Sequence, residues 1–422
     1  MQNEIKETAP VIFTSEMKKD YTILVPDMAT IQFRLLRAVL RNEGFLVEIL
    51  QNSGKQVVDE GLKHVHNDTC YPALLVIGQM LDALNSGQYD LNKTALLITQ
   101  TGGGCRASNY IYLLKKALIK AGYDQIPVLP LNFSEILGGG KGVRITVAQY
   151  RKGLIGIVYG DLIMLLKNQV IPYEKNKGDT EKTIEKWIDL LTEQINQGKC
   201  YSFRAMKKNF DAIVADFAAI PVRTERRVKV GVVGEIYVKY SPLGNNGLEK
   251  FLISQGCEVM LPGVLGFMMY AVSNTEVSYR LYGGSRLLRR VMRIVGAYFA
   301  KIDRMMIEAV ETRSQFVAPS PFYEMKALSE GIIGHGCKMG EGWLLTSEMI
   351  ELCEKGYENI ICAQPFGCLP NHVAGKGMIR KIKEMHPKAN IVPIDYDPGA
   401  SKVNQENRIK LMLAVARESM EE

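Results

Sequence analysis

Thr94-Ala-Leu-Leu-Ile-Thr-Gln100 is an apolar run of strand length. Thr101-Gly-Gly-Gly-Cys-Arg-Ala-Ser108 follows it as a glycine loop, and Asn109 opens an amphipathic stretch that reaches Ala121. Strand, loop and helix in that order form the repeating unit of a parallel α/β sheet. Working outward, further strand-length runs occupy residues 21–26, 45–50 and 126–132, separated by helical patterns at 29–42 and 72–84. A second set of strands is expected at 228–235, 258–262, 359–364 and 390–395. Helices are expected between and after them at 248–254, 346–355, 377–385 and 404–417. The pattern predicts an α/β fold of two parallel-sheet lobes. In this reading residues 1–20 are an N-terminal extension, 21–142 the first lobe, 143–224 a mainly helical segment, and 225–422 the second lobe with a helical insertion at about 267–312. Each lobe opens strand, helix, glycine, strand, which suggests a topological repeat without shared sequence.

With 422 residues, 47% hydrophobic and 23% charged, the composition suits a globular protein of two or three domains. The first 19 residues lack a basic segment followed by an apolar one, so no secretory signal is expected, and no apolar run is expected to reach membrane-spanning length. The cytoplasm is the expected compartment, where cysteines stay reduced or bind metal. The net charge of +7 gathers at 223–229 and 286–304. Within 286–304 the bases recur among Leu, Val, Ile and Met, without the aromatic interleaving on one face that a nucleic-acid surface would want, which reads as a solvated helix face or a patch for an anionic partner.

Three of the eight cysteines stand in loops rich in glycine or proline: Cys70 in Asp68-Thr-Cys-Tyr-Pro72, Cys105 in the loop quoted above, and Cys368 in Pro365-Phe-Gly-Cys-Leu-Pro370. Loops at the carboxyl ends of strands are where α/β sheets collect functional groups. Cys105 and Cys368 each follow a strand, and Cys70 precedes Pro72, a favoured first helical residue. Backbone N–H groups and a helix N-terminus in such a setting are expected to lower a thiol pKa. Cys337, in Gly334-His-Gly-Cys-Lys338, has similar surroundings without a strand before it. Cys362 lies within a strand and reads first as core, whereas Cys200, Cys257 and Cys353 read as core or surface thiols. Thiolates in this number suit zinc or an iron–sulfur cluster, but C-x2-C pairs are missing, so a site would have to be assembled from distant loops. Lys141 in Gly138-Gly-Gly-Lys-Gly142 lacks the rest of a P-loop, and the five histidines form no H-E-x-x-H pattern. Asp395 and Asp397 end a strand before Pro398-Gly399, where they cap a turn or orient a site group. Glu235, at the end of the strand Val230-Gly-Val-Val-Gly234, is a candidate for proton transfer or for fixing a loop.

The runs Asn67-Asp-Thr-Cys-Tyr-Pro-Ala73, Gln100-Thr-Gly-Gly-Gly-Cys-Arg-Ala-Ser-Asn-Tyr110, Val233-Gly-Glu-Ile-Tyr-Val-Lys-Tyr-Ser-Pro242 with Asn245-Asn246, and Gln364-Pro-Phe-Gly-Cys-Leu-Pro-Asn-His372 resemble the 2-hydroxyacyl-CoA dehydratase superfamily. Within it they are most similar to the dehydratase-like part of large fused activase-related proteins. The resemblance implies two flavodoxin-like lobes with helical additions, and a [4Fe–4S] cluster held by Cys70, Cys105 and Cys368 in the cleft between them. A double-cubane [8Fe–9S] cluster in one branch would also employ Cys337 and Cys362. The resemblance further implies an ATP-dependent activase, actin-like and itself an iron–sulfur protein, as electron donor, together with an acyl-CoA or small-molecule substrate and a dimeric assembly. Arg106, Lys239 and Lys376 are the candidate contacts for a substrate phosphate or carboxylate, and Glu235 is the candidate catalytic group. The rival expectations are a double-cubane reductase of small molecules, a non-catalytic electron-transfer or cluster-carrying subunit, and a zinc-stabilised binding protein.

Overall fold

Strands rich in Val, Ile and Leu persist in parallel sheets because helices cover both of their faces. The computed structural model describes residues 11–66, 69–100, 104–131 and 145–421, and among them eight strands form two four-stranded parallel sheets. The chain divides into two units, the first made of described residues up to Asp27 and from Val39 to Arg151, the second of Met28–Ala38 and Lys152 onward.

In the first unit, α1 (Met17–Asp20) leads into β1 (Thr22–Pro26), followed by β2 (Leu46–Leu50), β3 (Thr94–Thr99) and β4 (Val128–Leu131). The sheet order is β2-β1-β3-β4, with Thr22 opposite both Leu46 and Thr94 and with Leu96 opposite Val128. Around it lie α3 (Lys55–His64), α4 (Tyr71–Asn85) and α5 (Tyr110–Ala121), while α2 (Thr30–Asn42) begins in the second unit and ends in the first. Helices α3 and α4 touch backbone to backbone. A Cβ on Gly78 would stand 2.1 Å from the Val57 carbonyl, and one on Gly61 would stand 2.5 Å from that of Leu74. The sequence reading had no helix at α3; Gly61 breaks its helical signal, yet that glycine is what permits the contact.

The second unit repeats the arrangement with β5 (Lys229–Gly234), β6 (Glu258–Met260), β7 (Asn359–Pro365) and β8 (Asn390–Tyr396) in the order β6-β5-β7-β8. Numbered within its own unit, each sheet therefore runs 2-1-3-4, the order of flavodoxin-like sheets. The helices are α6 (Val147–Val170), α7 (Asp179–Asn196), α8 (Phe203–Ala218), α9 (Ile236–Tyr240), α10 (Leu248–Ser254), α11 (Val264–Tyr282), α12 (Arg286–Arg313), α13 (Phe322–Ala327), α14 (Trp343–Glu354), α15 (Ile379–Met385) and α16 (Lys402–Glu421). From Lys152 onward the expected helical segment groups with this unit rather than standing apart.

Helix α6 corrects one expectation, because it is long and apolar enough to cross a membrane by length and composition. Its apolar window is 89% buried inside the protein, as befits a core helix. At its centre Asp161 accepts hydrogen bonds from Val264 N (3.0 Å) and Leu265 N (2.8 Å) at the start of α11, and from Gln32 Nε2 (2.8 Å) on α2. Gly160 beside it admits the Gln32 backbone, to which a Cβ would approach within 2.7 Å. Burial outweighs these hydrogen bonds and pushes the Asp161 carboxyl from 3.8 up to about 6. A folded-state pKa above the unfolded one means that the group favours folding most below about 4, and that this contribution fades as pH rises through about 6, a change of about 3 kcal/mol. Urea unfolding of wild type and Asp161→Asn between pH 4 and 7 should show wild-type stability falling relative to the variant over that window. Parallel pH profiles would contradict the assignment.

Candidate functional site

In each unit one cysteine loop follows the carboxyl end of a strand, that of Cys105 after β3 and that of Cys368 after β7, and a second, carrying Cys70 or Cys337, lies beside it. In the first, Cys70 is the N-cap residue of α4, held extended (φ −61°, ψ 143°) before Pro72. Its Sγ lies 3.0 Å from the Tyr110 hydroxyl, at the first residue of α5. Cys105 caps the short 3₁₀ turn Arg106–Asn109 that runs directly into α5, and its carbonyl accepts from Ser108 Oγ (2.7 Å) and Ser108 N (3.1 Å). Gln100, just past β3, accepts the Ile111 N–H through Oε1 at 3.1 Å and so anchors the same helix start. Both thiols are half-buried, and Arg106 beside them is exposed, free of the packing that would prevent contact with an anion. Residues 101–103 of the glycine loop, Asn67-Asp68 and the Lys141 loop lie outside the described residues.

In the second unit, the chain after β7 turns through Gly367 at φ +73° to Cys368 and enters a π-helical turn, Asn371–Gly375. Such turns are rare and occur often at functional sites. Asn371 Nδ2 donates to Cys368 Sγ at 3.4 Å, and the backbone N–H and Nδ1 of His372 meet the Cys368 carbonyl at 3.0 and 2.9 Å. The Cys337 loop lies alongside, since a Cβ on Gly340 would come 3.0 Å from Pro370. The Cys337 carbonyl accepts Trp343 N at 2.8 Å, and Gly342, at φ +45°, leaves no room for a Cβ against that carbonyl. Cys362 is fully buried in β7, with its Sγ against Gly375, so it occupies the sheet core rather than a loop.

Two carboxyl groups converge on the first turn of α9. Glu235 Oε2 accepts Val238 N and Glu341 Oε1 accepts Ile236 N, each at 2.9 Å. Burial first, then the neighbouring Glu341 carboxylate, pushes the Glu235 carboxyl well above its ordinary range, and burial likewise raises Glu341. Lys239, on the same helix, is 4% exposed, and its ammonium lies 3.2 and 3.3 Å from the two oxygens of the buried Glu348. Lys239, a candidate substrate-anion contact in the sequence, thus has its charge held by an internal carboxylate. Lys376 is exposed and lines an open surface groove with Arg380, Lys383 and Glu384 over Ile379, Ile391 and Pro393, and Glu384 pairs with Arg380.

The thiol environment also departs from expectation. Cys368 was expected to have a lowered pKa, but burial, then Glu341 and Glu235, push it up against the help of Asn371. Burial raises Cys337 as well. A thiol in such surroundings keeps its proton at neutral pH unless a cation displaces it, and metal coordination deprotonates thiols outright. Cysteine sulfur is the donor type that soft metals take, and one of these sulfurs, that of Cys368, already receives an amide N–H from Asn371. Among the described residues no three His, Cys, Asp or Glu side chains stand close enough together to hold a metal ion.

Sequence reasoning missed Glu341, Glu348 and Asp161. Asp161 did leave a signal, being the one acid in the apolar run Gly153–Leu166. Asp397 proves to cap its turn, its Oδ1 accepting Gly399 N at 2.6 Å. No protein-family model and no curated protein matches the chain.

Proposed function

We propose that the chain is an iron–sulfur redox enzyme of the 2-hydroxyacyl-CoA dehydratase type, receiving low-potential electrons from an ATP-dependent activase and acting on an acyl-CoA or similar small substrate. The observation that carries this reading is that each unit has a cysteine loop following a parallel strand, Cys105 after β3 and Cys368 after β7, with a second cysteine-bearing loop beside it. Cys70, Cys105 and Cys368 are the thiols assigned to the cluster, with Cys337, whose loop lies beside that of Cys368, as the next candidate. When bound, such a cluster supplies electron transfer and a Lewis-acidic iron.

The chain's own groups supply the proton chemistry. A hydroxyl leaves readily only as water, which requires an acid that still carries its proton near neutral pH. Glu235 meets that need, since Oε2 is fixed by Val238 N–H and leaves Oε1 to hold the proton, while Glu341 disfavours a second negative charge beside it. The Lys239–Glu348 pair holds the helix on which this carboxyl is mounted.

Anaerobic purification with iron and sulfide counting tests the proposal. About four irons per chain are expected for a single cubane and about eight for a double one. Cys105→Ala should lower the iron content. Full retention of iron in that variant removes Cys105 from the ligand set, and a colourless wild-type protein with stoichiometric zinc would overturn the redox reading.

A further inference from the structure

Helices α11 and α12 form a hairpin whose tip, Tyr282-Gly283-Gly284-Ser285, projects into solvent. Around this tip Leu281, Tyr282, Leu287, Leu288, Val291 and Ile294 are all exposed, with Tyr282, Leu287 and Ile294 at 77%, 72% and 72%. Scattered apolar residues on a surface are ordinary, but a contiguous group of this size marks an interaction site. Leu287, Val291 and Ile294 recur at i, i+4 and i+7, so they form one outward stripe along α12. Arg286, Arg290 and Arg293 repeat that spacing one residue earlier and form a row along one flank. Among the described residues these three arginines make no salt bridge, and between Glu276 and Lys301 the sequence has six bases and a single acid. The opposite face of α12 is already packed. Arg289 grips Glu276 of α11 through two hydrogen bonds of 2.7 and 2.6 Å, and Gly296 fits against Tyr323 and Val272.

We propose that this tip is a docking surface for an acidic amphipathic helix of a partner protein, whose apolar seam covers Leu287, Val291 and Ile294 while its carboxylates pair with the arginine row. The charge on the tip selects this occupant. A second copy docked about a two-fold axis would bring the same arginine row to the contact, and like charges brought together there are unfavourable. A membrane surface favours a helix lying flat with a broad apolar face. Here the inner face of α12 is engaged with α11, and the outer apolar stripe is narrow.

The tip adjoins the Cys337 loop of its own unit. A Cβ on Gly336 would come 3.1 Å from Leu281, and the Lys338 ammonium hydrogen-bonds Ser278 and lies 5.7 Å from the centre of the Tyr282 ring. A partner seated on the tip therefore stands next to Cys337. The inference does not depend on whether those cysteines bind iron.

A fluorescent helical peptide of about 20 residues, with Leu at the a and d positions and Glu at e and g, is the probe. Binding to the full chain is read by anisotropy, with a scrambled peptide of equal composition as control. The ordered peptide is expected to bind in the micromolar range and to weaken with added salt. Its binding should fall about tenfold or more in Arg286→Glu/Arg290→Glu/Arg293→Glu and in Leu287→Ser/Ile294→Ser, all solvent-facing changes that leave the fold intact. Equal binding of the scrambled peptide, no binding of the ordered one, or unchanged affinity in both variants would overturn the proposal. So would binding to phosphatidylserine vesicles, or a dimer seen in sedimentation, if Leu287→Ser/Ile294→Ser abolished it; these results would assign the tip to lipid or to a second copy.

Discussion

Gly234→Ala should cost the second unit at least about 4 kcal/mol, enough to shift its urea transition far downward or abolish soluble expression. Gly234 ends β5 opposite Ala363 of β7, at φ +151°, and an added Cβ would stand 1.9 Å from the Ala363 carbonyl oxygen. Neither strand can yield, because the same register continues through Val233 opposite Cys362 and β7 is paired along its other edge with β8. Gly122→Ala provides the control. That residue also has a positive φ, +82°, but nothing lies within 4 Å of the added atom, so only the backbone preference of about 1 kcal/mol is lost. Similar unfolding midpoints for the two variants would show that contact with β7 is not what excludes a side chain at 234.

Lys239→Met is expected to destabilise the protein by about 3–5 kcal/mol, because it leaves the buried Glu348 carboxylate without its cation. The ammonium also acts on Glu341 and Glu235, so its removal should push all three carboxyls further toward their protonated forms. Lys239→Met/Glu348→Leu replaces the buried pair by apolar groups of similar volume and should recover most of the loss. Denaturant unfolding of the single and double variants at pH 7 measures the coupling. A double variant no more stable than the single one would mean that the pair does not account for the defect.

The parallel strands were legible because each is a short apolar run bounded by loops, and the described strands fall within a few residues of those runs. The equal order of the two sheets was not, since 2-1-3-4 depends on which strands pair, and Val230 alone does not reveal that its neighbours are Val259 and Asn359. Helix α3 was hidden by Gly61, whose value lies in a contact with Leu74 that only the folded chain creates. At the candidate site, the sequence placed Cys70, Cys105 and Cys368 in loops beside helix starts, and that placement follows from local chemistry. What it could not convey was the electrostatic setting. The protonation preference of Cys368 depends on Glu341 and Glu235, which are brought there by other turns of the chain, and burial of Lys239 depends on Glu348, 109 residues away. Desolvation is a property of the assembled unit, so residues with the polar composition of a surface can become its most tightly held charges.

The division of α2 and α6 between the units has a consequence for biosynthesis. Residues 28–38 emerge from the ribosome before the whole of 39–151, yet their partners are on later helices, Gln32 meeting Asp161 and Gly160 on α6 and Arg34 pairing with Glu185 on α7. The nascent chain can close its first sheet while that short stretch still waits for α6, so vectorial synthesis completes the two halves in sequence. For the same reason no single cut releases the second half whole: a fragment starting at Lys152 would lack the segment that seats Asp161.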